Sequence, residues 1–243
     1  WMFGFYSGNK LSDQWRGSVI YRSFPSTPVN QLGDESAGVP QAPSAGTAWS
    51  ILTNSNATSA LGLAKGPSMG QPIMLAAESY FLQAEAYVRG YLTGNAQAAF
   101  DNGITASFRY LYKDVTNTVP ATKNVATDVA AYKAANPTSY LVNFALATSP
   151  EQRLEAILTQ KYIAFNMINN DEAYNEFRRT GYPRIENGSN DPYKTFASLK
   201  SSSSAPDKLP TRILYPQVEY NLNPSNVPTG ISQFTSRIFW DIN

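Results

Sequence analysis

Apolar positions recur at helical spacing in three stretches of the chain, and the period is lost between and around them. The first stretch opens at Pro72. Ile73, Ala77, Tyr80, Ala84, Val88 and Tyr91 fall on one face and predict a helix running to about Leu92. The small side chains of Ala76, Ala77, Ala84 and Ala86 would let a second helix approach closely. Gly94 ends the pattern and Asn95 is a ready N-cap. Ala96, Ala99, Phe100, Gly103, Ile104, Ser107, Phe108 and Leu111 then carry the spacing into a second helix. A glycine inside a helix costs about 1 kcal/mol relative to alanine, so Gly103 is expected where that helix touches its neighbour. Residues 72–112 therefore read as an αα-hairpin of tetratricopeptide size.

Residues 113–148 read as a linker carrying one helix near Val125 to Ala135, stopped by Asn136-Pro137. A second hairpin follows over 149–183. Ser149 can cap it, Pro150 suits the first helical position, and Gln152 can reach back to the cap. Leu154, Ile157, Leu158, Ala164, Phe165 and Ile168 form the expected buried stripe. Asn169 and Asn170 break the pattern. Asp171 and Glu172 then meet the positive end of a second helix, whose apolar face is Ala173, Tyr174 and Phe177. Arg178 and Arg179 sit at its C-terminal end, Gly181 fits a C-cap, and Pro183 prevents continuation.

The flanks are different. Residues 1–70 form an aromatic loop region, Pro, Gly and Ser rich, with a short strand at Ser18 to Tyr21 as its one regular element. Its aromatic residues, Trp1, Phe3, Phe5, Tyr6, Trp15, Tyr21 and Trp49, argue for ordered packing or ligand contact. Residues 184–243 form an irregular C-terminal wrap. Ser201 to Ser204 read as exposed and flexible, and the proline-spaced run from Leu209 as extended. Phe239 and Trp240 are expected to tuck into the core.

Composition narrows the chemistry. The chain is 42% hydrophobic, enough for a real core, while charge is sparse at 15% with a net of +1, which excludes a nucleic-acid surface. There is no Cys and no His, which removes disulfides, thiol nucleophiles, imidazole ligands and every His-based catalytic arrangement. No apolar run approaches the ~20 residues needed to span a bilayer. A chain that opens on Trp1 with no charged-then-apolar leader is expected to be a piece of a longer protein. No phosphate-cradling loop or dinucleotide fingerprint is present.

Three carboxylate pairs share helix faces: Glu78 with Glu85, Glu151 with Glu155, and Glu172 with Glu176. A glycosidase needs its two acids opposed across a cleft, so these read as solvated faces, with Glu176 pairing to one of the two arginines. Asn169 to Glu172 offer oxygen ligands but lack calcium-loop spacing, and read as a helix start. Arg178 and Arg179 read as partners for the helix dipole and nearby carboxylates rather than as an anion site.

Four segments, in order, resemble the SusD/RagB-like outer-membrane lipoproteins, closest to the SusD-like branch of Bacteroidetes. They are Ala84-Glu85-Ala86 with Gly94, Gly103-Ile104 and Ser107; Gln160-Lys161 with Arg178 to Pro183; Pro210, Arg212, Tyr215, Pro216 and Glu219 followed by Asn223 and Asn226; and Phe239-Trp240-Asp241. They cover residues ~70 to 243. The resemblance implies a mainly α fold of tetratricopeptide-like hairpins with long irregular loops, a SusD-like α-superhelical scaffold of which this chain is the C-terminal portion. It also implies a lipoprotein on the extracellular face of the outer membrane, anchored through an N-terminal lipid outside this chain. Such a protein binds a nutrient, a glycan, oligosaccharide or peptide, and delivers it to a SusC-like TonB-dependent transporter. It implies neither an enzyme nor a cofactor nor a metal. The family motifs lie on the scaffold, so ligand contact is expected from loops. Trp15, Tyr21 and Trp49 are the candidate stacking residues and Asn9 the candidate polar partner. Two other readings stand beside this one: a helical-repeat protein-interaction module without a small ligand, and, more weakly, a two-carboxylate hydrolase.

Overall fold

A computed structural model of the chain describes residues 70–165, 168–188, 201–205, 207 and 209–241. Six α-helices and one 3-10 turn carry these residues, and no strand occurs among them: α1 Ala76–Val88, α2 Ala96–Tyr112, α3 Val125–Ala134, the 3-10 turn Phe144–Leu146, α4 Pro150–Phe165, α5 Asn170–Thr180 and α6 Gln217–Leu222. The aromatic region 1–69, with its expected strand at Ser18 to Tyr21, lies outside the described residues.

Most helix starts follow from side chains within four residues of them. The Asn95 side chain accepts the Ala98 N–H at 2.9 Å and starts α2, and Asn124 does the same for α3 through Thr127 at 3.1 Å. At α4 Ser149 Oγ accepts from the Gln152 N–H at 3.2 Å while Gln152 Oε1 accepts from the Ser149 N–H at 3.4 Å, a reciprocal capping box. Asn169 caps α5 through the Glu172 N–H, and Gly181 closes it in the left-handed conformation, φ 74°. The first helix ends earlier than its apolar pattern predicts, at Val88 rather than about Leu92. Gly90 adopts φ 74°, its N–H reaches the Tyr87 carbonyl, and the Tyr91 N–H reaches Ala86. These two bonds make a Schellman turn, which outcompetes another helical turn. Tyr91, expected on the buried face, consequently lies outside the helix, and Ile73, also expected there, precedes the helix start at Ala76 and is 93% exposed.

The α1–α2 hairpin packs along α4, and α4 in turn contacts α2 and α5. Phe81, Phe100, Ile104, Phe108, Tyr132, Phe144, Ile157 and Phe165 are buried in one core. Gly103 lies against Phe81: a Cβ there would stand 2.5 Å from the ring, the tight interhelical contact that its place in a helix predicts. Two expectations change. The 149–183 stripe is not a stripe, because every residue from Glu155 to Phe165 is buried and α4 is the central helix of the bundle. The 113–148 stretch is not merely a linker either. Tyr132, Val142 and Phe144 are core residues, and Lys133 and Tyr112 bond Asp101 and Asp128 at 2.6 and 2.7 Å to tie α3 to α2.

The C-terminal wrap also departs from expectation. Its proline-spaced run contains a short helix, α6, begun directly after Pro216, where a proline is compatible with a helix start. Ser203 is buried and donates to the Leu209 carbonyl, so the serine run is not uniformly exposed. Phe239 is 99% exposed instead of tucked in, whereas Trp240 lies against Arg178.

Candidate functional site

Two constellations stand out. The first is a chain of charges joining α1, α4 and α5. Lys161, 1% exposed, donates to Glu176 at 2.7 Å and faces Glu172 at 3.6 Å. Glu176 also accepts from Arg179 Nε at 2.9 Å. Arg179 reaches across to Glu85 at 2.8 Å, and Glu85 holds Arg89 at 2.7 Å. Beside it, buried Glu155 accepts from the Tyr140 hydroxyl at 2.9 Å and pairs with Arg184 at 3.1 Å. The solvated-face reading of these acids is therefore overturned for Glu85, Glu155 and Glu176. Each is buried where α1, α4 and α5 meet, and each is neutralised by a basic partner. The expected pairing of Glu176 with an arginine holds, through Arg179.

Burial alone would lower the Arg179 pKa, but Glu176 and Glu85 more than offset it and leave it raised. Its neighbour Arg178 works differently. It lies over the Tyr174 and Trp240 rings, 4.3 and 4.6 Å from their centroids, and donates to the Thr211 carbonyl at 3.0 Å. The Tyr174 hydroxyl bonds the Pro210 carbonyl. These contacts staple the C-terminal wrap to α5. The two arginines are structural, as their position at a helix end predicts, yet only Arg179 does so through carboxylates named above.

The second constellation is a cleft of about 530 Å³ at the turn end of the α1–α2 hairpin, facing the 3-10 turn and α4. Tyr87, Asn95, Gln97, Phe144 and Arg153 supply its aromatic and polar lining. Its volume falls in the range of small-ligand sites, about 300–1,000 Å³. The Tyr87 ring is seated on Gly94, where a Cβ would come within 2.3 Å of it, so this glycine lets the ring lie back against the turn. Arg153 Nε donates to the Ala147 carbonyl at 3.3 Å, which anchors the guanidinium at the rim. None of these lining residues was a sequence candidate for ligand contact. Asn95 carries a visible signal, but only as a cap, and Arg153 carries none.

The sequence candidates Asn9, Trp15, Tyr21 and Trp49 all lie outside the described residues. The cleft and the charge chain are thus the arrangements the structure assembles.

The chain, with its helical hairpin packed on a central capped helix and a following helix that ends in the RRTGYP segment, is matched by the family model "SusD-like: Susd and RagB outer membrane lipoprotein" over residues 49–241. The chain belongs to the SusD-like family. Its place as a member of an outer-membrane lipoprotein family puts it at the outer membrane. Among solved structures it is similar to a SusD homolog from Bacteroides fragilis, with 29% identity and a TM-score of 0.52, covering 72% of this chain and 36% of that one. It is likewise similar to a SusD-like protein of Bacteroidetes AC2a, with 26% identity and a TM-score of 0.52, covering 71% of this chain and 31% of that one. The chain spans about a third of the length of these relatives. No curated protein matches the sequence. Within this SusD-like chain the charge chain coincides with motif residues, Glu85, Lys161 and Arg179 among them. The family signature is a record of how the scaffold is held together. No helix of the described residues is long and apolar enough to cross a membrane.

Proposed function

We propose that this chain is part of an extracellular-face receptor that binds a nutrient, a glycan or a peptide, and hands it to a SusC-like TonB-dependent transporter, by binding rather than bond breaking. The observation that carries this reading is membership of the SusD-like family over most of the chain. Two features support it. The family motifs are consumed in ion pairs and caps, which leaves side chains of the turns to meet a ligand. The buried acids Glu85, Glu155 and Glu176 are each held by basic partners, an arrangement suited to rigidity rather than to acid–base work. On this reading residues 1–243 are one portion of a single SusD-like domain, and Asn9, Trp15, Tyr21 and Trp49 remain candidates for ligand contact.

The test is affinity purification of the full protein from its native envelope, followed by calorimetry with oligosaccharides and peptides and product analysis of the same mixtures. Co-purification of a TonB-dependent transporter, with binding and no turnover, is expected. Absence of such a transporter from the purified complex, or release of cleaved product, would refute the proposal.

One observation favours a second reading, a protein-docking module. Ile213, Leu222 and Phe239 of the C-terminal wrap are 81%, 80% and 99% exposed, three large apolar side chains that a docking partner would cover. Charged substitutions at these three positions that abolish transporter association while leaving ligand binding intact would assign the wrap to docking.

A further inference from the structure

We propose that the cleft between the α1–α2 turn and the 3-10 turn is a subsite for a carboxylate-bearing saccharide, a uronic-acid residue of an acidic glycan. The inference rests on the nutrient-binding reading above and adds a location and a ligand class to it.

The decisive feature is Arg153. Arg153 is exposed, and no carboxylate pairs with it among the described residues; none pairs with Arg109, Arg212 or Arg237 either, but of these arginines only Arg153 lines the cleft. Its Nε donates to the Ala147 carbonyl, which turns the guanidinium toward the cleft lining and leaves the two Nη groups for a ligand. Arg153 is the one charged residue in the lining, so a cation entering the cleft meets repulsion and an anion meets none. Two parallel Nη–H donors suit a carboxylate better than a lone hydroxyl.

The remaining lining suits a sugar ring. Asn95 spends its Oδ1 on the helix cap and Gln97 spends its Nε2 on Asp101, so an amide donor from Asn95 and an amide acceptor from Gln97 remain for hydroxyls. Tyr87 and Phe144 supply aromatic surface for the C–H positions of the ring. Gly94 keeps the cleft open. An alanine there would meet the Tyr87 ring and displace it from its seat, changing the cleft wall without touching a polar contact.

The experiment uses the full protein and three probes, hexagalacturonate, cellohexaose and trialanine, titrated into wild type, Arg153→Ala, Arg153→Lys and Gly94→Ala. Circular dichroism and thermal melts confirm that each variant is folded. Hexagalacturonate is expected to bind wild type. Arg153→Ala is expected to weaken it at least tenfold, Arg153→Lys to recover part of the loss, and Gly94→Ala to weaken it with a change in Tyr87 fluorescence or radical footprint. Hexagalacturonate binding that Arg153→Ala leaves unchanged would overturn the cleft assignment while the nutrient-binding reading stands. Binding of cellohexaose or trialanine alone would overturn the acidic-sugar class and equally leave that reading standing. No binding of any probe overturns the subsite, and the receptor reading then stands or falls on the transporter purification described above.

Discussion

Replacing Glu176 by glutamine should be among the most damaging isosteric changes this scaffold can suffer. The glutamate is buried and accepts from two cations at once, Lys161 at 2.7 Å and Arg179 at 2.9 Å. Glutamine keeps the volume and removes the charge. Arg179 retains Glu85 at 2.8 Å, but Lys161, with 1% of its surface exposed, is left with Glu172 alone at 3.6 Å. Removing one member of a buried pair and stranding the other costs about 3–5 kcal/mol. Lys161→Met is the informative contrast. It removes the stranded cation itself, and Glu176 keeps Arg179, so a loss of about 1–2 kcal/mol is expected, a fraction of the cost of leaving a buried charge alone. The double variant Lys161→Met/Glu176→Gln should then be more stable than Glu176→Gln alone, a coupling that a double-mutant cycle reads directly. Urea denaturation followed by circular dichroism gives all four corners of the cycle. A cost below about 1 kcal/mol for Glu176→Gln, within the range of an exposed ion pair, would refute the reasoning. So would a double variant less stable than Glu176→Gln.

Other outcomes follow from the same packing. Gly103→Ala places a Cβ 2.5 Å from the buried Phe81 ring, and should cost about 1–3 kcal/mol in the same denaturation assay, as overpacking does. Gly181→Ala forces an L side chain into φ 74° at the end of α5 and should cost about 1–2 kcal/mol, with amide exchange of the last α5 turn rising first. Tyr112 has its pKa raised by burial and by its bond to the Asp128 carboxylate. Its folded pKa therefore lies above the unfolded value. The stability it contributes is present in full below the ordinary tyrosine pKa near 10 and is lost as pH rises through the folded value. Tyr112→Phe should flatten that alkaline loss in melts recorded from about pH 9 upward.

The helix ends were legible because they are local. Ser149, Asn169, Gly181 and Asn95 act on backbone groups within four residues, so identity and spacing alone announce them. Gly103 was legible for a similar reason: a glycine kept inside an otherwise good helix implies a close neighbour, and Phe81 is that neighbour. Where local signals competed, the apolar period misled. Tyr91 fits the period of α1, yet the chain turned at Gly90, and Ile73 fits it yet precedes the helix start at Ala76.

Burial was not legible, because it depends on how many elements surround a helix. The apolar spacing of α4 describes one face, and a charged residue such as Glu155 or Lys161 reads as solvent-facing on that basis. Packing by α1, α2 and α5 encloses the whole middle of α4, and the charges survive there only because α5 delivers Glu176 and the neighbouring loops deliver Arg184 and Tyr140 to them. The cleft has the same origin. Tyr87, Gln97 and Arg153 are scattered over three helices and share no sequence pattern, and only the hairpin's approach to the 3-10 turn brings them to one wall. Local residue signals settled most helix starts and the family of scaffolds the helices build, because caps and breakers act on neighbouring backbone groups. Tertiary structure decided which charges are buried, which arginine lines the cleft, and where the scaffold opens, because each of these is set by distances between elements far apart along the chain.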